Sequence, residues 1–188
     1  MSFTLAIKAL FNTGISNEKL MLDYAETEDS KLLSQLYDKC ADDLYHFLLT
    51  QADNELAKDI SQQTWLKVIE KKHLYRDSGR FIAWLFTLSR HLLIDEFRKS
   101  GRLSQLNKQA ELSSISPPLT PSFDTILAAF DQALRTLPFE QREAFCLQQE
   151  GFSLTEIASI TTSPIETIKS RLRYAKASLK QQLENCHD

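Results

Sequence analysis

Residues 151–180 read GFSLTEIASITTSPIETIKSRLRYAKASLK. Two helix starts lie within this stretch. Ser153 is followed three residues later by Glu156, and Ser163 by Pro164 and then Glu166. Each spacing predicts a capping box, in which the Ser hydroxyl accepts from an orphan helix N–H and the Glu reaches back to the cap's own N–H. Pro164 suits a first helical position, where its missing donor costs nothing and its φ is already set. The stretch therefore predicts a short helix, a turn near Thr161–Ser163 and a second, longer helix.

That second helix has two faces. Ile165, Ile168, Leu172, Ala175 and Leu179 recur at helical spacing and form the expected buried stripe. Glu166, Ser170, Arg173 and Tyr174 project the other way, with Lys169, Lys176 and Lys180 flanking them on one side and Arg171 on the other. A short helix under a long basic helix with a polar outer face is the plan of a helix-turn-helix, whose second helix enters the major groove of DNA. An ordinary amphipathic pair with a solvated basic face has the same pattern, and the wider sequence separates the two.

From Leu137 the chain reads LPFEQREAFCLQQEGFSLTEIASITTSPIETIKSRL. This resembles region 4 of bacterial sigma factors, in particular the small extracytoplasmic-function (ECF) group of the sigma-70-type family. The matching positions are Leu137-Pro138, Gln141-Arg142, Phe145, Gly151, Ser153, Glu156-Ile157-Ala158 and Thr167 to Leu172. The resemblance implies that Ser163, Pro164, Glu166, Thr167, Lys169, Ser170, Arg171, Arg173 and Lys176 face the −35 duplex. It departs from the family at Thr162, where a Gly is usual in the turn, so a reshaped turn is expected.

At 188 residues the chain has room for two small domains or one of ordinary size. Four Gly and five Pro among abundant Leu, Ala, Gln, Glu and Lys favour an all-helical protein. Cys40, Cys146 and Cys186, with no C-x-x-C, fit neither a disulfide framework nor a zinc ribbon. Cys186-His187 reads as a loose terminus rather than half a metal site. No apolar run approaches the ~20 residues that span a bilayer, and no signal peptide is legible, so no membrane insertion and a cytoplasmic location are expected. The net charge is −3 but unevenly spread. Acidic groups crowd residues 18–59, while basic ones gather between Arg90 and Lys108 and between Lys169 and Lys180. Two basic patches predict two DNA contacts, and the acidic front half predicts a protein partner.

Residues 1–28 read as an N-terminal extension, with Phe3, Leu5, Ile7, Leu10 and Phe11 able to form one amphipathic turn. From Ser30, Leu33, Leu36, Tyr37, Cys40, Leu44, Phe47 and Leu48 line one helical face. Asn54 opens a second helix with Leu56, Ile60, Thr64 and Val68 inward. Taken alone, the polar side of this helix reads as a solvated face; the segment DISQQTWLKV, however, resembles sigma region 2.2, a resemblance that implies docking of Asp59, Gln62, Gln63 and Trp65 on the clamp coiled coil of polymerase β′. After a loop at Asp77–Gly79 a helix resumes at Arg80 or Phe81, with Phe81, Trp84, Leu85, Leu88 and Leu92 as its core stripe. Basic groups interleave there with aromatic ones, a pattern suited to single-stranded DNA. Trp84 and Phe86 read as core, and Phe81, beside the loop, as the better candidate to hold a base. The segment resembles sigma regions 2.3 and 2.4, which implies contacts of Arg76, Arg80, Phe81, Trp84, Arg90, His91, Arg98 and Lys99 with the −10 element. His91 stands where the family has Asn, and an imidazole cannot offer a carboxamide's paired donor and acceptor.

The Ser- and Pro-rich run within 102–122 reads as a linker, and Phe123, Ile126, Leu127, Phe130, Leu134 and Leu137 open the second domain. The expected architecture is all-α: a region 2 helical bundle (29–101) and a region 4 helix-turn-helix domain (123–188) on a flexible linker. No paired carboxylates, nucleophile–base set, P-loop or metal cluster is legible, so neither enzymatic activity nor a cofactor or metal is expected. The resemblance implies a factor that directs core RNA polymerase to promoters, with the β′ clamp, the β flap and both double- and single-stranded promoter DNA as partners; it also leaves room for an anti-sigma protein. Two rival readings, a dimeric helix-turn-helix regulator and a metal-sensing helical adaptor using the cysteines and histidines, leave the first-domain match without an explanation.

Overall fold

The computed structural model describes residues 15–76, 80–101 and 123–184, with side chains in the last segment from residue 128. The expected linker, the loop at Asp77–Gly79, the apolar residues Phe3 to Phe11 and Cys186-His187 lie outside them. The described chain is helical: α1 (Asn17–Thr27), α2 (Ser30–Gln51), α3 (Asn54–Lys71), a 3₁₀ turn (Lys72–Leu74), α4 (Phe81–Lys99), α5 (Phe123–Thr136), α6 (Phe139–Gln149), α7 (Leu154–Thr161) and α8 (Ile165–Glu184).

Short polar side chains set the early helix starts. Ser16, Asp29 and Asp53 accept from the backbone N–H of Lys19, Lys31 and Leu56 at 3.2, 2.9 and 3.0 Å. Helix α4 has no such cap, because Arg80 precedes it. Glu18 of α1 fills that role from a distance, its Oε1 accepting from Phe81 N–H at 3.0 Å, and its negative charge suits the positive end of the helix. Part of the expected extension is therefore integral to the first bundle. Leu20, Met21 and Tyr24 of α1 are buried, and Glu28 closes the helix in the left-handed conformation (φ 57°). The apolar residues Leu20, Met21, Leu22, Tyr24 and Ala25 are crowded into six positions, too short a run to show a helical period on its own.

In the C-terminal half, two turns share one design. Phe152 N–H donates to Leu147 O (3.2 Å) and Gly151 N–H to Gln148 O (3.1 Å), with Gly151 at φ 81°. After α7, Ser163 N–H donates to Ala158 O (2.9 Å) and Thr162 N–H to Ser159 O (3.2 Å). These are the paired bonds of a Schellman ending, in which one residue must turn left-handed. Thr162 does so at φ 52°, ψ 46°, so the turn keeps its shape and the β-branched residue carries the strain. Buried Arg142 donates to the carbonyls of Arg135 and Leu137 at 3.1 and 3.4 Å, collecting the loose end of α5.

The two halves expected on a tether pack together. Helix α4 lies against α3 on one side and α7 on another, and α2 packs on α6. Phe86 lies between Phe47 and Phe152, with ring centroids 5.0 Å away on each side, and Phe97 meets Phe139 edge-on at 5.7 Å. This second covered side explains why α4 buries Phe86, Leu93 and Phe97 as well as Phe81, Leu85 and Leu88. Trp84 and Leu92, expected in the core stripe, are half-buried.

Relieving the strained turn stabilises the fold. Thr162→Gly is expected to raise unfolding free energy by about 1 kcal/mol, read from the urea midpoint at unchanged m-value.

Candidate nucleic-acid interface

Helix α8 starts at Ile165, with Pro164 O accepting from Ile168 N–H at 3.1 Å, one residue later than the sequence reading. The Ser163–Glu166 capping box is not formed. Ser163 ends the preceding turn, its hydroxyl donating to Thr161 O (3.2 Å) and accepting from Arg171 Nη1 (2.9 Å), while Glu166 takes Lys169 Nζ at 2.7 Å. The Ser153–Glu156 box is formed in full. Ile168, Leu172, Ala175 and Leu179 face the core, whereas Ile165, at the first position of the helix, is exposed.

Lys169, Arg173, Lys176 and Lys180 follow one another by four, three and four residues and are all exposed, so they form one basic row along α8. Arg173 stacks over the ring of exposed Tyr174 at 5.0 Å. Pro164 is exposed beside the start of that row, and Thr167 and Ser170 are half-buried along it. Arg171 faces elsewhere. Its guanidinium pairs with Glu140 of α6 as well as Ser163, and this fixes α8 to its neighbour.

The basic set around α4 divides. Arg76 is exposed and donates to the carbonyls of His73 and Tyr75. His91, Arg98 and Lys99 are exposed, the last two pairing with Asp95 (3.2 Å) and Glu96 (3.8 Å) one helical turn away. Arg80 and Arg90 instead turn toward the C-terminal half. Arg80 donates to Glu156 through Nε (2.6 Å) and Nη2 (3.0 Å), and Arg90 Nε donates to Glu143 at 2.8 Å. Burial pushes the Glu143 carboxyl above its ordinary value against the opposing pull of Arg90. Burial also raises Glu156, but the hydrogen bonds from Arg80 and Ser153 outweigh it and hold that carboxyl low.

Phe81 is not available to a base in this arrangement. Its ring is 0% exposed and lies against Tyr75 and Trp84, with centroids 5.9 and 6.0 Å away. The fold needs it there, at the capped start of α4. Trp84, half-buried, is the aromatic ring of this cluster that reaches the surface.

On α3, Asp59 and Gln62 are exposed, and Asp59 accepts from Gln63 Nε2 at 2.7 Å. Trp65, expected at a docking surface, is buried; exposed Tyr37 covers it at 5.1 Å. Exposed Leu66 and Ile69 continue the same helix, giving an apolar margin beside the polar residues.

Glu143, Phe152 and Phe139 were absent from the sequence reading, and Glu156 entered it only as a cap. One signal was legible. Glu143 falls at helical spacing with Phe139, Cys146 and Leu147, so a carboxylate sits in an apolar stripe. Among the described residues no group of three or more His, Cys, Asp or Glu could hold a metal ion, and no helix is long and apolar enough to cross a membrane. Cys40 and Cys146 are buried, and burial pushes the Cys146 thiol up to about 11.

The geometry assigns different roles to neighbouring arginines. Arg171→Ala is expected to cost about 1 kcal/mol of stability, since Glu140 is half exposed and the pair is partly screened. Arg173→Ala should leave the melting curve unchanged, and the two can be compared by thermal denaturation.

The sequence matches the family model for Sigma-70 region 2 over residues 36–103 and that for Sigma-70, region 4 over residues 127–179. It is 32% identical over 168 residues to the ECF RNA polymerase sigma factor SigL of Mycobacterium tuberculosis, covering 85% of this chain and 93% of SigL. The structure is similar to that of the sigma factor RpoE in complex with the anti-sigma factor NepR from Bartonella quintana, with TM-score 0.65, 32% identity, and coverage of 80% of this chain and 96% of RpoE. Its fold also matches CnrH in complex with the cytosolic domain of CnrY (TM-score 0.66, 19% identity, 90% and 99% covered). Both conserved regions occur in one chain and in the order that the helices display, so the chain belongs to the sigma-70 family, in its ECF group.

Proposed function

We propose that this chain binds core RNA polymerase and directs transcription initiation at particular promoters, with α8 reading the −35 duplex and the surface around α4 holding the opened −10 strand. The observation that carries the reading is the basic row Lys169, Arg173, Lys176 and Lys180, exposed on the second helix of a helix-turn-helix. A row along one helix face can follow a groove wall while the residues nearest the helix start reach base edges. The exposed groups Arg76, Arg98 and Lys99, with Arg80 and Arg90, supply cations for the single strand, and His91 and Trp84 supply rings. Bond-making belongs to the polymerase, and this chain contributes position. Two modest grips on one scaffold gain from effective concentration once the polymerase fixes their spacing.

For docking on the polymerase, the outer face of α3 offers Asp59, Gln62 and Gln63 beside exposed Leu66 and Ile69. A polar cluster bordering an apolar margin is the composition of a protein interface. The β′ clamp is the expected partner of that face and the β flap that of the C-terminal half. An anti-sigma protein is a further partner, supported by the similarity to RpoE, which is solved with NepR. The same reading places the chain in the cytoplasm, with the polymerase and chromosome.

Reconstitution with core enzyme on genomic fragments, followed by mapping of transcript starts, tests the whole reading; starts identical to those of core enzyme alone would refute it. Arg173→Ala should weaken promoter use. A phosphate contact would lower the salt slope by about 1, and a base contact would relax one promoter position. Asp59→Ala should weaken competition for core enzyme and leave promoter preference intact, and full affinity would remove α3 from the docking surface.

A further inference from the structure

Helix α1 precedes the stretch matched to Sigma-70 region 2, yet it is bonded to both flanks of the surface read as the −10 contact. Helix α4 begins without a cap from its own N-cap residue, and Arg80 O takes the N–H groups of Ala83 and Trp84 at 3.0 and 3.3 Å. The Phe81 N–H ahead of them goes to Glu18 Oε1 at 3.0 Å. Glu18 also stands in the first turn of α1, so one carboxylate serves the positive ends of two helices. At the far end of α1, Glu28 Oε1 receives Lys72 Nζ at 3.2 Å, where the 3₁₀ turn begins. The two acids lie at opposite ends of the helix, about 15 Å apart along its axis. Between Lys72 and Phe81 the chain carries Arg76 and Arg80 of the −10 set, and Tyr75, whose ring meets those of Phe81 and Trp84 at 5.9 and 5.3 Å.

We propose that Glu18 is a positioning residue for the −10 surface: α1 braces Lys72 at one end and Phe81 at the other, and so sets where Arg76, Arg80 and Trp84 stand when the strand opens. The proposal rests on the −10 reading of those residues. Glu18 carries the sign of a phosphate and would repel one. As the acceptor of a helix-start N–H, its charge is spent on the protein instead. The two ends of the brace differ in weight. Glu28 is 70% exposed and its pair with Lys72 is screened, whereas Glu18 is half-buried and completes a helix start that has no other side-chain cap. Buried Leu20, Met21 and Tyr24 hold α1 on the bundle whether or not Glu18 is bonded. Losing the bond therefore loosens the start of α4 and leaves the fold in place.

The test compares Glu18→Ala, Glu18→Gln and Leu44→Ala in the full chain. Gln keeps an acceptor oxygen at the same reach, and Leu44, buried on α2, is part of neither bond. Each variant is reconstituted with core polymerase on the genomic fragment that gives the wild type its strongest start, at a temperature below every melting range. Permanganate reactivity of unpaired thymines reads opening, footprinting reads the −35 duplex, and hydrogen exchange reads the Phe81 amide. Expected for Glu18→Ala are faster exchange at Phe81 and about five-fold less opened promoter, with core affinity and −35 protection unchanged. Glu18→Gln should stay within about two-fold of the wild type, and Leu44→Ala should be less stable to urea yet open the promoter as the wild type does. Normal opening by Glu18→Ala, or an equal loss in Leu44→Ala, would overturn the positioning role. Trp84→Ala separates the two readings. A defect there beside a normal Glu18→Ala removes the brace alone, whereas normal opening by Trp84→Ala removes the −10 reading with it.

Discussion

The structure depends on the placement of Phe86, a ring clasped by Phe47 of its own bundle and Phe152 of the other half. A helix with one apolar stripe can serve one core. Helix α4 carries apolar residues over a wider arc, and this lets it act as a common wall for two cores. Burial of rings is non-directional and roughly proportional to area, so it sets the closeness of the halves. The ion pairs at Arg80 and Arg90 then set their angle, because charge-assisted bonds demand a direction.

A helix asked to pack on two sides has little surface left for a ligand. Phe81 illustrates the conflict: it starts the helix, receives the remote cap from Glu18 and fills the space between Tyr75 and Trp84. Helix α8 has no such conflict. It buries one narrow stripe, anchors its flank through Arg171, and leaves the opposite row of cations free of tertiary duty. The two proposed DNA surfaces therefore differ in kind: one is preformed and open, the other is shared with the protein's own packing.

Much of this was legible in the sequence. Periodicity and caps located α2, α3, α4 and the α7–α8 pair, since each carries a regular stripe or an acidic or hydroxyl start. Helix α1 was missed because its apolar residues are crowded between Leu20 and Ala25, too short a run to show a period. The second capping box is not formed because the Ser163 hydroxyl bonds Thr161 O and Arg171 instead. Neither Phe81 nor the Arg90–Glu143 pair could be placed by pattern alone. Glu18, which caps Phe81, and Glu143, which holds Arg90, lie more than fifty positions away, and no local rule reports such a pairing.

Glu156 belongs to two structures at once, a helix cap and an ion pair between the halves. One of its oxygens accepts from Ser153 N–H at 2.8 Å and from the Ser153 hydroxyl at 2.7 Å, and the same carboxylate receives Arg80. If the arginine leaves, the carboxylate keeps its two local donors, so the first turn of α7 has no reason to fray. The cap of α7 is thus complete without the inter-half ion pair, and Glu156 serves both at once rather than exchanging one for the other.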